Sequence, residues 1–116
     1  MKQDLPPSIT EFQKKYPDVW GAFATLAGKC HEAGGPLDEK SRRLVKLGVA
    51  IGLWHEGAVH SATRHALDAG VTREELYHAA ILAITTVGWP SAYAAMTWIA
   101  DVLDEAETGA PEHVPD

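Results

Sequence analysis

Between Trp54 and Gly70 the chain gathers His55, Glu56, His60, Arg64 and His65 among small residues. At about 3.6 residues per turn, Glu56, His60 and Arg64 fall on one helical face, each a turn beyond the last. A carboxylate, an imidazole and a guanidinium in that order offer acid–base chemistry. An imidazole titrates near neutral pH, Glu56 one turn earlier can hold its tautomer, and Arg64 can grip a substrate carboxylate bidentately. We therefore take His60 and Glu56 as catalytic candidates and Arg64 as a substrate contact. His55 sits where the helix begins, and either faces the same cavity as a second substrate contact or closes the turn. The plain structural account of Glu56 and His60 is a helix-surface contact of a few tenths of a kcal/mol. His55 and His60 lie roughly 140° apart around the axis, so they cannot grip one metal ion as an i, i+4 pair does. A metal site built from His55, Glu56 and His60 would need a second subunit, since one helix cannot supply the geometry. We expect no metal and no cofactor.

These residues need a helix to hold them and neighbours to pack it. Ala58, Ala62, Ala66 and Ala69 form a small-residue stripe beside the polar face, which lets another backbone approach closely. Upstream, residues 1–8 read as an arm with Ser8 as cap for a short helix, Ile9 to Lys15. Pro17 opens a second helix through Val19, Trp20, Phe23 and Leu26, ended by Gly34-Gly35-Pro36. Asp38 is the expected N-cap of a third helix reaching to about Trp54, with Leu44, Leu47, Gly48, Ile51 and Trp54 on one face. Almost nothing polar lies between Leu47 and Trp54, and a helix apolar all round is buried all round. A domain of this size has little interior for it, so we expect oligomerisation. After Gly70, Thr72-x-x-Glu75 spells a capping box for the next helix, through Leu76 to Val87. Trp89-Pro90 breaks that helix, and Pro90 starts the last one, through Tyr93, Met96, Trp98, Ile99, Val102 and Leu103. His65 and His78 read as structural, His113 as part of a frayed tail, and Trp54, Trp89 and Trp98 as core or interface anchors.

No stretch alternates apolar and polar residues as a half-buried strand would, so the expected fold is all-α, a single-domain bundle of about six helices. The expected divisions are an arm and short helix over 1–15, a helical domain over 16–106 and a flexible tail over 107–116. A net charge of −6 with no Lys/Arg run argues against nucleic acid or an anionic membrane as partner. The longest apolar run, Ala79 to Ile84, is too short to span a bilayer. Met1-Lys2 leads into no apolar stretch, which predicts a cytoplasmic protein. Cys30 is the only cysteine, so no intramolecular disulfide or Cys-x-x-Cys pair exists, and a free structural thiol is expected.

LDEKSRRLVKLGVAIGL, HEGAVHSATRHALDAGVTREEL and TVGWPSAYAA together resemble the carboxymuconolactone decarboxylase and alkylhydroperoxidase-like family over roughly residues 16 to 105. The resemblance implies a small all-helical chain assembled as a homo-trimer or homo-hexamer, with its site near subunit contacts. It also carries the family labels of alkylhydroperoxidase and peroxiredoxin activity. Redox members have Cys-x-x-Cys, a histidine four residues on and a glutamate a helix earlier. Counted back from Gly70, those positions hold His55, Ala58 and Ala62 here, and the glutamate position holds Arg43. A peroxide-reducing dithiol needs a thiolate and a resolving thiol, and this chain has neither at the site. The decarboxylase members have a Glu-x-x-x-His spacing, matched by Glu56 and His60 two residues early relative to Gly70.

The reading that follows is a cofactor-free lyase or decarboxylase acting on a small anionic organic molecule, with His60 as acid or base. Its rivals are a non-catalytic oligomeric scaffold that binds a ligand, and a peroxidase carried by resemblance alone.

Overall fold

The computed structural model describes residues 7–108. Among them there are six α-helices and no strand: α1 Pro7–Lys15, α2 Pro17–Ala33, α3 Glu39–Gly52, α4 Glu56–Asp68, α5 Arg73–Val87 and α6 Trp89–Thr108. The all-α expectation holds. No helix among the described residues is long and apolar enough to cross a membrane. The tail expected from Glu107 falls outside the described residues, except for Glu107 and Thr108, which close α6.

The chain divides into two compact units, Met1–Leu37, which holds α1 and α2, and Asp38–Asp116, which holds the other four helices. In the first unit, α1 starts at Pro7, which puts Ser8 inside the helix and not at its cap. Pro17 opens α2 as expected, because its missing N–H is one a first helical turn leaves unused. Neither helix has a buried residue. The Phe12 and Tyr16 rings meet at 5.2 Å and those of Trp20 and Phe23 at 5.5 Å.

The second unit is a four-helix bundle in which α3 packs on α4 and α5, and α6 packs on α4 and α5. Leu47 and Ile51 of α3, Val59 and Ala66 of α4, Leu76 and Ala80 of α5, and Ala95, Ile99 and Leu103 of α6 fill one core. Local chemistry sets the helix ends. Asp38 caps α3 by accepting the Ser41 N–H at 2.9 Å. Thr72 and Glu75 make the reciprocal capping box of α5, at 3.1 and 2.9 Å. Gly70, at φ +90°, ends α4 in a Schellman turn: its N–H reaches the Leu67 carbonyl, and that of Val71 reaches Ala66.

One expectation for α3 is corrected. It stops at Gly52, because Trp54 turns into the left-handed region at φ 54° and its N–H bonds back to the Ile51 carbonyl. Within the single chain Leu47, Ala50 and Ile51 of α3 face the core, whereas Val45, Val49 and Leu53 are more than half exposed. Val45 of α3 and Leu82 of α5 line an apolar groove of about 560 Å³ together with Leu44, Gly48, Ala79 and Ala83. Of the expected tryptophan anchors, Trp98 packs against the core, while Trp54 and Trp89 lie at the surface.

Candidate active site

His55 starts α4 and is its N-cap: its Nδ1 accepts the Ala58 N–H at 3.1 Å. That is the turn-closing role. It uses one ring nitrogen on the backbone and leaves His55 out of the cluster formed further along the helix.

Glu56, His60 and Arg64 share a face of α4, as the spacing required, and that face lies against α6. His60 is buried, 6% exposed. Its Nε2 is 3.1 Å from Oδ2 of Asp101 and 3.8 Å from Oε2 of Glu56. The nearer carboxylate is thus the one on the other helix. Nε2 donates to Asp101 when it carries the ring proton, which leaves Nδ1 as the unprotonated nitrogen of the neutral ring. Glu56 and Asp101 are themselves about half exposed, so a buried imidazole joins two carboxylates that meet solvent.

One turn further on, the pattern repeats. Arg64 reaches Glu105 at 3.3 Å, with its side chain only 12% exposed. His60 with Asp101 and Arg64 with Glu105 have the same separation, 41 residues. Each step of one turn on α4 therefore matches one on α6, so the two helices run in the same direction. Arg64 was a candidate contact either for a substrate carboxylate or for a carboxylate of the chain itself; in this structure its guanidinium pairs with Glu105 and braces α4 against α6. Arg73 and Glu107 pair in the same way between α5 and α6.

The remaining candidates fall elsewhere. His65 donates from Nδ1 to the Ser61 carbonyl at 2.9 Å, one turn back on its own helix, and His78 lines the α3–α5 groove. Arg43 is held by Glu39 at 2.9 Å within α3. Cys30 is exposed on α2 in the first unit. The residues that sequence reasoning missed are Asp101 and Glu105. Their one signal was spacing: of the acidic residues on α6, Asp101 and Glu105 stand four apart, the same interval as His60 and Arg64.

The arrangement can hold and pass a proton at Nε2 of His60, with Asp101 orienting the ring and Glu56 within reach.

Known proteins share this chain's pattern. It is 39% identical over 83 residues to the nitrosuccinic acid decarboxylase of Metarhizium robertsii, a match covering 66% of this chain and 57% of that protein. The matched stretch therefore spans little more than half of that relative. It is 32% identical over 106 residues to an uncharacterised protein of Methanocaldococcus jannaschii, covering 90% of this chain and 98% of the other. No solved structure gives a significant match. Residues 17–101 match the family model for carboxymuconolactone decarboxylases from α2 to the middle of α6, taking in Glu56, His60 and Asp101, and the chain belongs to the carboxymuconolactone decarboxylase family.

Proposed function

We propose that the chain is a cytoplasmic, cofactor-free lyase that removes CO2 from a small carboxylated molecule, with His60 as the acid–base residue. The observation that carries this reading is a buried imidazole whose Nε2 is hydrogen-bonded to Asp101, with Glu56 3.8 Å away, in a family whose relatives include a decarboxylase. Loss of CO2 breaks a carbon–carbon bond and leaves its electron pair on the neighbouring carbon, which then takes up a proton. His60 delivers that proton from a ring that packing and Asp101 hold in one orientation. The exposed carboxylates of Asp101 and Glu56 connect Nε2 to solvent, from which the ring is recharged. Arg64 works behind the site: its pairing with Glu105 keeps α6 in the register that brings Asp101 to His60.

The same proposal includes self-assembly as a homo-trimer or homo-hexamer. Val45, Val49, Leu53, Ile81 and Leu82 are exposed along neighbouring helices, and a contiguous apolar surface of that kind favours burial against another copy. A peroxidase reading has no comparable support, since the single thiol lies in the first unit.

The test is a panel of carboxylated lactones, nitro acids and keto acids, nitrosuccinic acid among them, assayed for CO2 release with chelator present. Turnover that disappears in His60→Ala supports the proposal. If no compound releases CO2, or the variant matches wild type, the non-catalytic scaffold takes its place.

A further inference from the structure

We infer that Glu56, His60 and Asp101 form a binding site for a divalent transition-metal cation, with two ligands from α4 and one from α6. It occupies the residues of the acid–base reading but does not rest on its chemistry. One helix cannot place three ligands around an ion, and here the third comes from within the same chain. One ligand atom from each residue, Nε2 of His60 and a carboxylate oxygen from each acid, lies within 4.8 Å of the other two.

Zinc-like ions sit about 2.0–2.2 Å from imidazole nitrogen and carboxylate oxygen, so two ligands of one ion lie at most about 4.4 Å apart. The 3.1 Å and 3.8 Å separations from Nε2 already meet that limit. The separation of the two carboxylates is closed by rotation of side chains that are both about half exposed. The buried member separates this cluster from a patch of surface carboxylates. His60 is held by the core with its nitrogen turned to both acids, so one ligand is already in place before an ion arrives. One nitrogen and two oxygens suit Zn2+, Mn2+ or Co2+ better than an all-oxygen ion such as Ca2+. Three protein ligands leave at least one position open to water or a small anion. A cation there takes the Nε2 lone pair, so a loaded site and acid–base work at that atom exclude each other.

The experiment titrates chelator-stripped full-length chain with Co2+, read by its visible absorption, and with Zn2+, read by calorimetry. The expected result is one ion per chain, with binding weakened about tenfold or more in His60→Ala and in Asp101→Asn. Binding should be unchanged in Glu74→Gln, which alters an acid on α5. In the wild type, Zn2+ should also shift the Nε2 nitrogen-15 resonance of His60, a reading that needs no variant. Absence of binding, a resonance that does not move, or equal affinity in His60→Ala overturns the inference. No substrate enters this measurement, and the CO2 assay runs in chelator, so either proposal can fail while the other stands.

Discussion

Asp101 lies 3.1 Å from Nε2 of His60, nearer than Glu56, which shares its helix and stands at 3.8 Å. The ring is buried and Asp101 is its closest anionic partner, so this bond links α4 to α6 as well as orienting the imidazole. Asp101→Ala is expected to cost about 1 kcal/mol of stability, the net worth of a hydrogen bond whose other partner stays buried. Glu56→Ala should cost only a few tenths, as an exposed i, i+4 contact does. Urea unfolding of the two variants beside wild type measures the difference. Equal costs would mean that α6 does not position His60.

Much of this bundle was legible from local rules. Asp38, Pro17 and the Thr72-x-x-Glu75 box mark helix starts because each satisfies or omits backbone groups within one turn. Glu56, His60 and Arg64 were placed on one face by helical period alone. Asp101 and Glu105 were not found, because their pairing depends on α4 and α6 meeting, and no local rule spans 41 residues. The end of α3 was missed for a related reason. Trp54 takes a left-handed conformation that a bulky residue disfavours, and the return of the chain into α4 imposes it. The pairing of Arg64 with Glu105 was not found for the same reason, since that carboxylate is on α6.

The caps also make stability depend on acid. The Ser41 backbone N–H holds the Asp38 carboxyl below its ordinary 3.8. The Thr72 backbone N–H, and then Lys40, hold that of Glu75 below its ordinary 4.5. A carboxyl depressed in the folded chain stabilises fully above its unfolded value, and that stability is lost as pH falls through the folded value. Asp38→Asn and Glu75→Gln should therefore be less stable than wild type at pH 7, with the gap shrinking below about pH 4.5. Urea midpoints taken from pH 7 to pH 3 check this, and a gap that widens in acid would contradict it.

The apolar groove between α3 and α5 predicts self-association. Sedimentation at micromolar concentration should show a trimer or hexamer, and Val45→Glu combined with Leu82→Glu should shift it toward monomer, since each change puts a charge in the apolar groove. A stable wild-type monomer defeats the argument.

Peroxide chemistry supplies a negative prediction. With Cys30 alone, a sulfenic acid has no second thiol in the chain to resolve it. Hydroperoxide consumption with a dithiol reductant should not exceed background. Activity that vanished in Cys30→Ala would show that this thiol had been misread.

The central claim is that His60 moves the proton in decarboxylation. The direct measurement is the rate of CO2 release from nitrosuccinic acid, or from another acid that the panel identifies, in wild type and His60→Ala under chelator. Melting temperature and oligomeric state are recorded on the same samples. Loss of a general acid or base lowers the rate by about 10²–10⁴-fold, and that loss is predicted in a variant that keeps its fold and assembly. Equal rates in the two proteins would contradict the role given to His60.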